Sequence, residues 1–201
     1  AANGILSVSY KIPAIINTMQ GIFIQAWQIS AIREYGEYDT SKFYGNYFVF
    51  LNVLMSAACS WLILLSKPLA HLLYANDFFV AWRYVPFLLI SSVFNSASGF
   101  IGPILSAKKD SGSMALSAVY GAIANVILNI VLIYLAGIQG AAIATMIASY
   151  IIYLARKRAA DKELEIEHYG VLVTTWGLLV VQAILEIKTS NWLAEIAIMA
   201  V

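Results

Sequence analysis

Long apolar runs separated by short polar segments dominate the pattern of this chain. A helix that crosses a bilayer needs about 20 mostly apolar residues. Seven runs are candidates, at residues 4–32, 43–65, 79–107, 112–136, 140–157, 169–187 and 190–201, of which the last is short, as a truncated span would be. Between the second and third runs, residues 66–76 predict an amphipathic helix at the membrane interface, with Leu69, Leu72 and Leu73 on one side. The pattern therefore predicts an all-α, polytopic transmembrane helix bundle of about seven spans.

The composition agrees with a membrane protein. Hydrophobic residues make up 61% of the 201 residues and charged residues only 11%. An ordinary soluble domain has about 45–50% apolar and about 25% charged residues. The net charge of +1 gives no sign of a nucleic-acid partner. We expect a single transmembrane bundle over residues 1–201, and the opening Ala-Ala-Asn-Gly without a methionine indicates a fragment of a longer protein.

Lysine and arginine are distributed unequally between the two sides of the predicted bundle. The loops after the first, third and fifth runs, with their flanks, hold Arg33, Lys42, Lys108, Lys109, Arg156, Lys157, Arg158 and Lys162. The loops on the other side hold only Lys67, Arg83 and Lys188. Because cytoplasmic loops of membrane proteins are rich in lysine and arginine, we expect the odd-numbered runs to end at the cytoplasm.

The first apolar run carries a stripe of polar side chains. At 100° per residue, a wedge of about 120° contains Asn3, Ser7, Tyr10, Lys11, Asn17, Thr18, Gln25 and Gln28. The opposite side holds Ile12, Ile16, Phe23 and Trp27. A helix in lipid keeps a polar stripe only where the stripe faces protein or water. The candidates to line a cavity are Tyr10, Lys11, Asn17, Gln25 and Gln28, and Pro13 predicts a kink in this helix.

Lys11 is the strongest single candidate for a functional role in the stripe. It lies about two turns inside the predicted span, where a charge costs roughly 2.5–3.5 kcal/mol even on the lenient insertion scale. One interpretation is a cationic contact for an anionic substrate such as a pyrophosphate. The other is a lysine whose ammonium group extends to the outer interface. The sequence leaves both open.

Small and polar residues also share faces of the later runs. The clearest sets are Asn52, Ser56 and Ser60 on the second run, Asn95, Gly99, Gly102 and Ser106 on the third, and Ala118, Gly121, Ala122, Asn125 and Asn129 on the fourth. Such faces are typical of close helix packing in membranes. Asn125 and Asn129 are nevertheless kept as candidates for contact with substrate or water.

The chain shows no residues arranged for catalysis or for a cofactor. Cys59 is the one cysteine, and His71 and His168 have no second ligand at metal spacing. No nucleophile elbow, phosphate loop or zinc motif is present. Residues 162–167 contain one lysine and three glutamates and predict a solvated cytoplasmic linker. We therefore expect neither an enzyme nor a cofactor, and no metal site.

Several segments resemble the polysaccharide transporter family, which includes O-antigen flippases, within the multidrug/oligosaccharidyl-lipid/polysaccharide exporter superfamily. They are residues 4–13, 26–34, 42–44, 93–102 and 107–109, followed by the paired asparagines of 121–129, a short turn and a Gly-Ala-Ala-x-Ala-Thr segment within 137–145. The resemblance covers about residues 1–160. It implies the carboxy-terminal lobe of a transporter whose amino-terminal lobe is absent here.

The resemblance also implies a function and partners. The expected activity is a flippase that moves an undecaprenyl-pyrophosphate-linked oligosaccharide across the bacterial inner membrane by alternating access. The implied partners are this anionic lipid-linked saccharide, membrane lipids and the amino-terminal half of the same transporter. Lys11 matches the family's helix position and is the first choice for the pyrophosphate contact. The alternatives are a multidrug or peptidoglycan-precursor exporter of the same superfamily and a membrane scaffold subunit that transports nothing.

Overall fold

A computed structural model describes residues 2–33 and 40–188, and this part of the chain is helical almost throughout. Its α-helices are α1 Ala2–Ser9, α2 Lys11–Arg33, α3 Thr40–Leu64, α4 Ser66–Leu73, α5 Val85–Ala107, α6 Ser111–Ala136, α7 Ile138–Ala159 and α8 Tyr169–Lys188. A 3₁₀ helix, Asn76–Tyr84, leads into α5. The predicted all-α fold class is confirmed.

Five helical stretches in the described part are long and apolar enough to cross a membrane. They are Ser41–Leu64, Phe78–Ala107, Ser111–Ala136, Ile138–Ala159 and Tyr169–Lys188. Their ends agree within about two residues with the second to sixth predicted runs, because hydropathy alone sets the extent of a span. The seventh predicted run, 190–201, lies outside the described residues.

The first predicted run is divided in two rather than kinked at its proline. α1 ends at Ser9, Tyr10 forms a turn, and α2 begins at Lys11. Pro13 therefore lies in the first turn of α2, where the missing N–H removes no intrahelical hydrogen bond. With 23 residues α2 has the length of a span, but its polar side chains keep it out of the set of five.

α5 is the central helix of the bundle and α6 is a peripheral one. Side chains of α5 are buried along almost its whole length, with α2, α3, α7 and α8 packed around it. On α6, only Ser117 and Gly121 are buried. Its outer face exposes large apolar side chains such as Ile130 and Tyr134, as expected for contact with lipid.

The hairpin of α6 and α7 is held tightly by glycines. Gly137 turns the chain with a φ of 59°, a conformation that residues with a Cβ atom seldom adopt. A Cβ atom added to Gly140 would overlap the backbone of Leu132. Gly121, one of the small residues predicted to allow close helix packing, also lies against α7, where an added Cβ atom would overlap Ile152.

One end of the bundle carries the basic loops, and we call it the basic end. There Lys108 pairs with Glu163 at 2.9 Å, and Lys42 pairs with Glu167 at 3.5 Å. The segment that joins α7 to α8 packs against the start of α3 and buries Leu164. The linker predicted at 162–167 exposes three of its four charged side chains to solvent, as predicted, while its leucine supplies an apolar anchor.

The opposite end carries α4 and the 3₁₀ helix. The predicted amphipathic helix is present as α4, which ends at Leu73 rather than at residue 76. Leu72 and Leu73 are exposed while Ala70 is buried. Helix α1 packs on the 3₁₀ helix, with Gly4 against Phe78.

Candidate functional site

A polar groove of about 440 Å³ lies between α2 and α5. The residues that line it are Asn17, Gln20, Gly21, Ile24, Gln25, Asn95 and Gly99. Four of these seven carry amide side chains, although both helices lie within a bundle of membrane-spanning helices. We refer to it below as the amide groove.

The buried side of α2 fixes which side chains reach the amide groove. Ile12, Ile16 and Trp27 are buried, as the sequence predicted for that side of the helix. The indole Nε1 of Trp27 donates a hydrogen bond of 2.9 Å to the carbonyl oxygen of Phe100 on α5. The two ring planes stack with centroids 4.2 Å apart. This anchor sets the rotation of α2 and directs Asn17 to the groove.

Two glycines shape the wall of the groove. A Cβ atom on Gly99 would lie 3.5 Å from both Nε2 of Gln20 and Cδ1 of Ile24. The two helices therefore approach closely at this level. A Cβ atom added to Gly21 would meet no atom within 4 Å, so the groove is open at the level of Gly21.

The chemistry of the amide groove is binding rather than proton transfer. Its lining side chains are uncharged at any pH at which the protein is folded, since none of the seven lining residues is titratable. Each amide offers a carbonyl acceptor and two N–H donors. Such a surface suits a neutral polyhydroxy ligand, or the oxygens of an anion that accept from the N–H groups.

The structure separates the predicted site residues into groups. Asn17 and Gln25 line the amide groove. Lys11 and Gln28 are exposed on α2 and Tyr10 is exposed in the turn before it, but none of the three lines the groove. Lys11 begins α2, six residues before Asn17, or about 9 Å along the helix axis.

Asn125 and Asn129 lie elsewhere, on α6. The Nδ2 atom of Asn129 donates to the backbone oxygen of Asn125 at 2.7 Å and to its Oδ1 atom at 3.0 Å. The Asn129 amide is therefore bonded to Asn125 along one helix, beside α7. The structure does not bring them together with the α2 side chains of the amide groove.

Sequence reasoning missed two amides of the groove. Gln20 falls outside the polar wedge but lies one turn after Asn17. Asn95 was assigned to helix packing, and it is the exposed residue in an otherwise buried stretch of α5. The usable signal was a single amide, Asn95, in the middle of a predicted span.

Comparison with known proteins gives one structural neighbour. No protein-family model matches the chain, and no curated protein sequence matches it. A solved structure, the lipid II flippase MurJ in an inward closed conformation, matches with a TM-score of 0.70 and 16% sequence identity. The match covers 98% of this chain and 45% of that one. The chain thus has the fold of part of a multi-pass membrane flippase and spans less than half of its length.

Proposed function

We propose that this chain is one lobe of a flippase that moves a polyprenyl-pyrophosphate-linked oligosaccharide across the bacterial inner membrane for surface polysaccharide synthesis. The amide groove between α2 and α5 is the observation that carries the proposal. Intramembrane polar groups are expensive and usually face a substrate path or a partner. Four amides together match the hydroxyl groups of a saccharide. Similarity of fold to a lipid II flippase supports a lipid-linked substrate.

The proposed mechanism is alternating access. This lobe would rock against the amino-terminal half of the same transporter, with the saccharide held between the two. The polyprenyl tail stays among the membrane lipids, since an apolar chain is already in an apolar environment there. Lys11 is exposed, and no carboxylate in the described ranges pairs with it. Its ammonium group supplies a cationic contact for the pyrophosphate, and the odd-numbered runs end at the cytoplasm.

A peptidoglycan-precursor flippase is the second candidate, because the structural neighbour is a lipid II flippase. Such a protein carries the same type of polyprenyl pyrophosphate. We expect its cavity to use arginine for the anion. The cation at the start of α2 is Lys11, and the only arginine of this helix is Arg33 in its last turn, which favours the surface-polysaccharide substrate.

Deletion and complementation in the native host test the proposal. Loss of the gene should remove the surface polysaccharide and cause lipid-linked saccharide to accumulate in the inner membrane. The full-length gene should restore the polymer, and a version with Asn17→Leu and Gln25→Leu should not. Asn46→Leu is the matched control, because Asn46 is an exposed amide of α3 outside the groove.

Two results would contradict the proposal. Normal surface polysaccharide in the deletion strain would exclude the lipid-linked precursor of that polysaccharide as the substrate. Cell lysis with accumulated peptidoglycan precursor, in place of lost polysaccharide, would establish the second candidate instead.

A further inference from the structure

A second groove lies on the other flank of α2, between α2 and α3, with a volume of about 270 Å³. Its lining residues are Phe23, Ala26, Trp27, Ser30, Phe43 and Tyr47. Four of the six are aromatic and the other two are small, so aromatic side chains form most of its wall. We call it the aromatic groove.

The rings of the aromatic groove continue an ordered stack that starts in the core. Trp27 stacks on buried Phe100 with an angle of 16° between the planes. Tyr47 follows Trp27 at 5.7 Å and 26°, and Phe43 follows Tyr47 at 6.1 Å and 11°. Phe43 and Tyr47 share one face of α3 because they are four residues apart. The wall is therefore held in place before any ligand arrives.

The outer end of this stack is open. Phe43 is 53% exposed. Hydroxyl groups border the ring faces, from exposed Ser30 and from partly exposed Tyr47. A ligand that extends the stack must therefore present a flat apolar face to the rings and polar groups at its edge.

We propose that the aromatic groove binds a pyranose ring of the transported saccharide, an inference that rests on the proposed function. The C–H groups on one face of a pyranose carry partial positive charge and pack on the negative face of an aromatic ring. Its hydroxyl groups then reach the hydroxyls of Ser30 and Tyr47. A polyprenyl tail would cover the rings equally well but would leave both hydroxyls without a partner.

The two grooves lie on different flanks of α2, and their positions along the helix overlap. The amide groove uses residues 17–25 of α2, and the aromatic groove uses residues 23–30. Their centres are therefore about 8 Å apart along the helix axis. Stacking would hold one sugar while the amides bind the hydroxyl groups of another sugar of the same oligosaccharide.

Binding of two lipid probes to the purified full-length protein tests this inference. One probe is polyprenyl pyrophosphate that carries a single N-acetylglucosamine, and the other is polyprenyl pyrophosphate without a sugar. Phe43→Ala should weaken binding of the first probe about five- to tenfold and leave the second unchanged. Phe43→Trp should restore binding of the first probe. Trp61→Ala is the control, because Trp61 is also an exposed aromatic residue of α3 but lies outside the groove.

Each other outcome has a distinct meaning. Equal losses for both probes in Phe43→Ala would assign the groove to the tail and overturn the inference. Unchanged binding of both probes, or wild-type affinity that does not depend on the sugar, would overturn it while the proposed function stands. Wild-type protein that binds neither probe would exclude the proposed function and this inference together.

Discussion

The ammonium nitrogen of Lys67 on α4 lies 2.8 Å from Oε1 of Glu186 on α8. The side chain of Glu186 is 1% exposed, whereas that of Lys67 is 33% exposed and lies 4.8 Å from the centre of the Trp82 ring. Oε2 of Glu186 has no hydrogen-bond partner among the described residues. Lys67 therefore supplies the main charge compensation for a buried carboxylate and ties α4 to the bundle.

Removal of the lysine charge and removal of the carboxylate charge should have different effects on stability. Lys67→Met leaves the buried carboxylate without a cation and should lower the free energy of unfolding by about 3 kcal/mol. Glu186→Gln should cost only about 1 kcal/mol, because the partly exposed Lys67 can turn to water. Thermal unfolding in detergent measures both, and Lys42→Met, in a pair with two half-exposed partners, is the control. Additive losses in the Lys67→Met/Glu186→Gln double variant would show that the pair is not coupled.

The contact of Gly140 with Leu132 predicts a strong dependence on glycine in the turn between α6 and α7. Gly140→Ala must displace a backbone segment and should destabilise the protein by about 2 kcal/mol or more. Gly177→Ala is the matched control on α8, where an added Cβ atom meets nothing within 4 Å. It should be neutral or should stabilise by about 0.5–1 kcal/mol. Equal unfolding temperatures for the two variants would mean that α6 and α7 are not in close contact there.

The elements of this fold were predictable because bilayer thickness imposes a length on each span. Hydropathy alone located five of the spans within about two residues. The polar stripe identified the buried side of α2 correctly through Ile12, Ile16 and Trp27. The break at Tyr10 was not predicted, since the proline signal lies three residues later and Pro13 fits a first helical turn.

The polar contacts between helices could not be read from the sequence. Oγ of Ser60 donates to Oε1 of Gln182, and Nε2 of Gln182 donates back to the Ser60 carbonyl, across 122 positions of sequence. Arg156 likewise joins α7 to Ser98 and Ser117 on two other helices. Such pairs depend on helix rotation and side-chain reach, which periodicity does not determine. The position of Asn95 in the amide groove was not predicted for the same reason.

Asp110 predicts a pH dependence of stability at the start of α6. Its Oδ1 atom accepts a hydrogen bond of 3.0 Å from the Ser113 amide, and its Oδ2 atom accepts one of 2.7 Å from the Ser113 hydroxyl. These bonds lower the pKa of the Asp110 carboxyl below its ordinary value of 3.8. The ionised cap therefore stabilises the fold above that pH, and its contribution is lost as pH falls through the lowered pKa.

Asp110→Asn is the informative variant, because asparagine also caps helices but carries no charge. Wild type should be the more stable protein at pH 7, and the difference should shrink and vanish below pH 3.8. Unfolding in denaturant from pH 7 to 3 measures this. If the difference in stability between the two proteins is the same across that range, the charge of Asp110 does not contribute to capping.

Access of water to the amide groove predicts selective thiol labelling. In a Cys59→Ala background, single cysteines at Asn17 and Gln25 should react with a membrane-impermeant maleimide, because both positions are exposed and line the groove. A cysteine at buried Ile16 should not react. Mass spectrometry of the labelled full-length protein in membranes measures the extent of labelling. Protection of all three positions would indicate that a partner helix fills the groove, which is the scaffold alternative.

The exposed charge of Lys11 predicts a requirement for a cation at the start of α2. Lys11→Ala in the full-length protein should abolish surface polysaccharide, whereas Lys11→Arg should keep part of it, because arginine retains the charge and pairs well with phosphate. Lys109→Ala is the control, since Lys109 is an exposed lysine at the basic end. Polymer at the cell surface is compared at equal amounts of membrane-inserted protein. Wild-type polymer levels with Lys11→Ala would mean that its ammonium group only extends to the interface.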